Sequence, residues 1–145
     1  MKKLKQFACA LLCLMVLLCA TGWQINTPAG AAREWTETIT KGRLTRSYIM
    51  NHASNLLQLE LSLQDEDELD EALGAVATMM RALRAEGITF EVRVTDVQME
   101  TPRDATVFIK IIARNDDGEV LSADADTISL TREDGEWKVC ELDLD

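Results

Sequence analysis

The strongest constraint on the fold is a change of hydrophobic pattern at Gly87, after which apolar and polar residues alternate for most of the remaining chain. Alternate side chains share one face of a β-strand, whereas a helix repeats every 3.6 residues. The apolar positions form four groups: Phe90, Val92 and Val94; Ala105, Val107, Ile109, Ile111 and Ala113; Leu121, Ala123 and Ala125, then Ile128 and Leu130; and Trp137, Val139, Cys140, Leu142 and Leu144. This pattern predicts four strands.

Turn sequences separate the four groups, so the strands are expected to form an antiparallel meander. The turns are Thr101-Pro102-Arg103-Asp104, Asn115-Asp116-Asp117-Gly118 and Glu133-Asp134-Gly135, two of which end in the glycine that a tight hairpin favours. The alternation slips between Val94 and Val97, and again between Ala125 and Ile128. Both slips predict β-bulges, which bend a sheet.

Residues 65–86 predict an amphipathic helix that would cover the apolar face of this sheet. Asp65 is the expected N-cap, Glu68 follows at capping-box spacing, and Gly87 ends the helix. Its apolar stripe has spacings of four and three residues: Leu69, Leu73, Val76, Met80 and Leu83. The six acidic residues of 65–71 lack the spacing of a calcium loop, so a solvated helix start is preferred to a metal site.

Residues 43–63 fit either a helix or a strand. Four leucines alternate with polar residues, as in a strand: Leu57, Leu59, Leu61 and Leu63. Another set has helical spacing: Leu44, Tyr48, His52, Leu56, Leu59 and Leu63. A strand would create a βαβ unit, but the helix is preferred. The expected fold class is therefore α+β, with one or two helices packed on a bent four-stranded antiparallel meander, a cone-like roll.

The N-terminal residues have the pattern of an export signal. Three lysines precede the uncharged apolar run Phe7–Ala20, whose 14 residues are typical of a signal peptide and short for a membrane span. Cleavage could follow Ala20-Thr21-Gly22 or Ala29-Gly30-Ala31, and the second is preferred because Pro28 and Gly30 are expected to keep the chain extended. Residues 1–32 are thus expected to be a signal peptide or anchor plus a linker at 26–32.

The remaining residues, 33–145, are expected to form a single α+β domain outside the cytoplasm, secreted, periplasmic or at the cell surface. An uncleaved anchor at residues 7–23 stays an alternative. The formal net charge of −10 argues against a nucleic-acid partner, and it limits membrane association to the N-terminal segment. Cys140 is the only cysteine beyond that segment, so no internal disulfide is expected there.

The order of these segments resembles the nuclear transport factor 2-like superfamily, also known as SnoaL-like or cystatin-like rolls. The resemblance is strongest in Arg132-Glu133-Asp134-Gly135-Glu136-Trp137-Lys138-Val139, because small exported bacterial members often carry a comparable phrase in their last strand. It extends over roughly residues 40–145. The resemblance implies a pocket between the helices and a concave sheet. Members include isomerases, dehydratases and binding proteins, so the fold does not by itself define the function.

Few residues suggest chemistry. His52 is the only histidine, and the resemblance implies that a pocket His or Asp can act as a base, which makes His52 and Asp96 the catalytic candidates. An exposed or merely hydrogen-bonded histidine is the simpler interpretation. Trp137 is the candidate ligand-binding residue, although a core position is more common for such an aromatic. Asp124 and Asp126 share one strand face, where they could bind a cation or a basic partner, but a solvated outer face is preferred.

The leading hypothesis is an exported or membrane-tethered, non-catalytic domain that binds a partner or small ligand. No zinc set, phosphate loop or nucleophile motif is present, and no cofactor is expected. The alternatives are a pocket enzyme of the isomerase or dehydratase type and a structural subunit of an envelope assembly. Neither the ligand nor the oligomeric state follows from the sequence.

Overall fold

The computed structural model of the chain describes residues 27–142, in which four helices precede four strands. The helices are α1 (Pro28–Thr40), α2 (Arg46–His52), α3 (Asn55–Ser62) and α4 (Glu66–Ala85). The strands are β1 (Thr89–Met99), β2 (Asp104–Arg114), β3 (Val120–Glu133) and β4 (Glu136–Val139). No helix among the described residues is long and apolar enough to cross a membrane.

The sheet is the predicted antiparallel meander, with the strand order β1-β2-β3-β4. Asp134 and Gly135 both have positive φ (51° and 81°), as a tight two-residue hairpin turn between β3 and β4 requires. The core lies between the helices and the sheet, and its largest fully buried side chains are Ile49, Val107, Ile109 and Leu130. The predicted α+β class, with helices packed on a four-stranded meander, is therefore confirmed.

One predicted bulge is present and the other is not. The register of β1 against β2 shifts between Val94 and Asp96, as the slip in the alternation indicated. β3, in contrast, pairs with β2 without a shift from Ser122 to Thr131, so the bulge predicted between Ala125 and Ile128 is wrong. The pattern changes there because polar rather than apolar residues occupy the inner face of the first half of β3.

Helix α1 occupies part of the segment that was expected to be a linker. The Thr27 hydroxyl caps the helix by accepting a 3.0 Å hydrogen bond from the Gly30 amide, and Pro28 suits the first helical turn. Ala32 is fully buried in the core. The linker prediction is therefore wrong for residues 28–32, and the expected domain boundary after residue 32 falls inside this helix.

Residues 43–63 are helical, but they form two helices rather than one. The helix is interrupted at Ala53, which forms a parallel bridge to Val139. The Ser54 amide donates a 2.8 Å hydrogen bond to the Val139 carbonyl. The Ser54 hydroxyl then caps α3. This break rotates α3 relative to the predicted continuous helix, so Leu57 and Leu61 are buried while three residues of the predicted stripe are exposed: Leu56, Leu59 and Leu63.

The rotation of α3 predicts opposite results for two adjacent leucines. Leu57 is 3% exposed and Leu56 is 67% exposed. We expect Leu57→Ala to lower the free energy of unfolding by about 2–4 kcal/mol, because it leaves a cavity in the core. We expect Leu56→Ala to change it by less than about 0.5 kcal/mol. Urea unfolding followed by circular dichroism would compare them, and equal effects would contradict the break at Ala53.

Helix α4 is confirmed, but it is not the main cover of the sheet. Asp65 caps it by accepting a 2.9 Å hydrogen bond from the Asp67 amide, without the predicted reciprocal bond in which Glu68 would accept from the Asp65 amide. Most helix contacts with the strands come from α1, whereas α4 packs mainly against α1 and α2. The buried surface of α4 is narrow, consisting of Leu69, Leu73 and Ala77, so the bulkier Trp35 face of α1 covers the sheet instead.

Candidate functional site

The inner face of the sheet changes from apolar to acidic toward the first half of β3. Directly paired residues of antiparallel strands lie on the same face. Val92 pairs with Ile111, which pairs with Asp124, and Val94 pairs with Ile109, which pairs with Asp126. Two carboxylates therefore continue two apolar rows of the face that α1 covers.

A cleft of about 440 Å³ opens between α1 and this face, and we call it the concave cleft. Trp35 and Ile39 of α1 line one side, and Phe90, Ile111 and Ile128 line the sheet side. The charged residues of its lining are all acidic: Asp124, Asp126 and Glu141. All three are exposed, so the acidic part of the cleft is open to solvent.

The charge of the concave cleft is not balanced by its own lining. No lysine, arginine or histidine is among the described residues that line it. The described residues also contain no cluster of three or more side chains suited to hold a metal ion. An apolar surface beside uncompensated carboxylates suits a molecule that has both an apolar part and a positively charged group.

His52 lies elsewhere, in a second groove of about 440 Å³ that we call the His52 groove. Its imidazole stacks on the Tyr48 ring with the centroids 3.9 Å apart, and its Nδ1 lies 2.8 Å from the Tyr48 carbonyl. The Nε2 atom is 3.9 Å from Glu34. These contacts within α2 and to α1 hold the His52 ring in place, and its catalytic role stays a prediction.

The other charged residues of the His52 groove are already paired. Lys138 donates a 2.6 Å hydrogen bond to the Asn51 carbonyl, and it forms a 2.9 Å ion pair with Glu136. Hydrogen bonding to Lys138 lowers the pKa of Glu136, and the charge on Lys138 adds to this effect. Burial raises the pKa of the Tyr48 hydroxyl, and this effect is larger than the lowering of the pKa by the Thr38 side chain. This groove is held together by its own polar contacts.

The structure does not bring the two catalytic candidates together. Asp96 is exposed at the bulge of β1, where it accepts a 2.9 Å hydrogen bond from the Val97 amide and pairs with Phe108 on the outer face. The His52 groove lies at β4, and β1 and β4 are opposite edges of the sheet. His52 and Asp96 therefore form no acid–base pair in this structure.

Trp137 lines the His52 groove, next to His52, rather than the concave cleft. Its role in ligand binding stays a prediction. Asp124 and Asp126 were expected on a solvated outer face. They are exposed, but the predicted face is wrong, because their partners Ile111 and Ile109 belong to the inner face. Both acids have the same parity as Ile128 and Leu130, but parity identifies their face only because the bulge predicted between Ala125 and Ile128 is absent.

Trp35 and Glu141 are cleft residues that the sequence did not single out. Trp35 lies on a helix whose first turn has the composition of a linker, and Glu141 follows the last strand. Cys140, beside Glu141, is half-buried, and burial raises the pKa of its thiol, with Asp104 and Glu141 adding to the shift. This disfavours the thiolate and agrees with a packing role rather than a nucleophilic one.

Comparison with known proteins agrees with this geometry at the level of fold. No protein-family model matches the chain, and no curated protein sequence matches it significantly. Its structure is similar to the crystal structure of an NTF2-like transpeptidase from Campylobacter jejuni, with a TM-score of 0.54 and 14% sequence identity. The match covers 80% of this chain and 99% of the other. This match confirms the predicted resemblance at the level of the fold, and the chain has the nuclear transport factor 2-like (NTF2-like) fold.

Proposed function

We propose that this chain is an exported or membrane-tethered, non-catalytic domain whose concave cleft binds a small ligand with an apolar part and a positive charge. The fold supports a pocket domain in general terms. The observation that carries the finer proposal is the apolar-to-acidic row of residues, in which Asp124 and Asp126 extend the surface formed by Ile111 and Ile109.

The absence of a catalytic role is supported by what lines the concave cleft. Its described lining contains no histidine or cysteine, and its carboxylates are exposed rather than desolvated. General acid–base catalysis usually relies on a group whose pKa is shifted by burial or by a close partner. His52 is spatially separate from these carboxylates and is held by Tyr48 and Glu34. Binding without turnover is therefore the simplest use of the cleft.

Export is supported by the N-terminal sequence alone. Lys2, Lys3 and Lys5 precede the apolar run Phe7–Ala20, which lies outside the described residues. This order of a basic segment and a short apolar segment is the pattern that the export machinery recognises. The proposal places the folded domain outside the cytoplasm, with the apolar run as its signal or its anchor.

Neutralising the two aspartates should weaken the binding of cations specifically. A unit charge about 4 Å from a carboxylate in water gains about 1 kcal/mol. We expect Asp124→Asn with Asp126→Asn to weaken the binding of 2-phenylethylammonium about tenfold. The neutral probe 2-phenylethanol, which has the same ring and chain length, should bind weakly to both proteins and equally well.

NMR titration of the purified full-length chain in mild detergent would measure this, following the indole N–H signal of Trp35. The matched control is Asp117→Asn with Asp134→Asn, which removes two exposed acids from the hairpin turns and changes the net charge equally. It should bind the cation like the unaltered protein. Equal affinity for the ammonium and the alcohol, or an equal loss in the control variant, would refute the proposed site.

A further inference from the structure

We propose that the edge of β3 at residues 123–127, with which no strand among residues 27–142 pairs and which we call the open edge, docks an extended segment of another protein with alternating basic side chains. The partner segment would add a strand to the sheet beside β3. Asp124, Asp126 and Thr127 also line the concave cleft, but the open edge is defined by the outward backbone groups of Ala123 and Ala125, which do not line it. The inference therefore goes beyond the proposed ligand-binding function.

The open edge exists because β4 is much shorter than β3. β3 has 14 residues and β4 has four, and they pair only from Leu130↔Val139 to Glu133↔Glu136. Within residues 27–142, the last backbone hydrogen bond along this edge is a 2.9 Å bond from the Cys140 amide to the Ser129 carbonyl. Among the described residues, no strand pairs with this side of β3 before Ser129.

The direction of the Ser129 carbonyl indicates which backbone groups point outward. Backbone groups of alternate residues in a strand point to the same side. Because β3 has no register shift between Ser122 and Thr131, the backbone groups of Ala123, Ala125 and Thr127 point outward like those of Ser129. The Thr127 amide already donates a 2.8 Å hydrogen bond to Asp126 Oδ1. The amides and carbonyls of Ala123 and Ala125 are thus the groups that an added strand would use.

The opposite edge of the sheet carries a bulge and a paired arginine, and the open edge has neither. β1 carries the bulge between Val94 and Asp96, and its Glu91 and Arg93 side chains form a 2.8 Å ion pair. A bulge is a common device against unwanted strand pairing of any kind, whereas the aspartates of the open edge oppose a partner strand unless it carries positive charge. The open edge is unbulged, and two of its five residues are exposed alanines that leave room for a neighbouring chain.

Charge complementarity indicates a basic partner. Asp124 and Asp126 are exposed on one face of the open edge, so a paired strand would place alternate side chains opposite them. The net charge of −10 opposes pairing with a second copy of this chain. Lysine or arginine at every second position fits best.

Two blocked peptides test this with the full-length chain. The basic probe is acetyl-Thr-Lys-Val-Lys-Val-Thr-amide, and the acidic control replaces both lysines by glutamate. We expect the basic peptide to bind at least tenfold more tightly, measured by NMR shifts of the Ala123 and Ala125 amides. Methylation of both valine nitrogens, which face Ala123 and Ala125 when the lysines face the aspartates, should abolish binding. Equal binding of the methylated peptide would overturn strand addition.

The variant Ala125→Pro removes one outward amide, and proline is tolerated at an edge position of this kind. It should weaken binding of the basic peptide at least tenfold while leaving 2-phenylethylammonium binding unchanged, which separates this inference from the proposed ligand site. Asp124→Lys with Asp126→Lys should reverse the preference toward the acidic peptide. An unchanged affinity in either variant would overturn the proposal.

Two other occupants of the open edge are also distinguished. Sedimentation showing a dimer that Ala125→Pro dissociates would assign the edge to a second copy and overturn the proposal. So would hydrogen exchange that finds the Ala123 and Ala125 amides protected in the free protein and exposed after removal of residues 143–145, because the chain itself would then close the edge.

Discussion

Replacement of Trp35 by alanine is expected to lower the free energy of unfolding by about 3–5 kcal/mol, because it leaves a large cavity between α1 and the sheet. Trp35 is only 2% exposed and belongs to the central core cluster. Its ring lies 5.9 Å from the ring of Tyr48, so it also connects α1 to α2. The loss should exceed that of any leucine on α4, because α1 provides most of the helix contacts with the strands.

Urea unfolding of the full-length chain, followed by far-ultraviolet circular dichroism, would measure this effect. Trp35→Phe should lose less than half of the unfolding free energy that Trp35→Ala loses, because it keeps an aromatic ring in the same position. Leu63→Ala is the surface control, since Leu63 is 80% exposed and should change the unfolding free energy by less than about 0.5 kcal/mol. A Trp35→Ala loss as small as that of Leu63→Ala would contradict the packing of α1 described above.

The second large effect concerns the N-terminus of the exported product, which is expected to begin at Trp23 if a peptidase cleaves it. The sequence favoured cleavage after Ala31, but that cut would remove the Thr27 cap and the first residues of α1. It would also create a charged amino group at Ala32, which is fully buried. The lost cap costs about 1 kcal/mol, and a buried charge costs several kcal/mol. Cleavage after Gly22 leaves α1 complete.

Intact mass and N-terminal sequencing of the protein from cells that express the full chain would identify this end. Ala20→Leu with Gly22→Leu, which makes the first site too bulky, should give an uncleaved product rather than one that starts at Ala32. Ala29→Leu, the matched change at the second site, should leave processing unchanged. A stable folded product that begins at Ala32 would contradict this prediction.

Several features could be predicted because they depend on local sequence. Helix α4 has a cap at Asp65 and a stop at Gly87, and these signals act within a few residues of each helix end. The hairpin at Asp134 and Gly135 likewise depends on the positive φ of its own two residues. The bulge near Val94 was visible because strongly apolar residues flank it on both sides. The order of the four strands could also be predicted, because short turns place consecutive strands side by side.

The break at Ala53 and the role of α1 could not be predicted in this way. Ala53 stops the helix because it meets Val139, which lies 86 positions further along the chain, and no local breaker precedes it. The burial of α1 similarly depends on strands that begin about 50 residues later. Contacts of this length leave no periodic trace in a single segment, so composition suggested a linker where the structure has a buried helix.

The sequence by itself determined which residues of this protein share a strand face, because the period of two follows from backbone geometry alone. Only the tertiary structure decided which face of β3 points inward, since Ala123 and Ala125 on one side and Asp124 and Asp126 on the other were both plausible there. Pairing with Ile109 and Ile111 turned the aspartates toward α1. The pairing with β2 determines which face of β3 points inward. Burial of the large apolar side chains of β2 contributes more free energy than exposure of the small alanines costs.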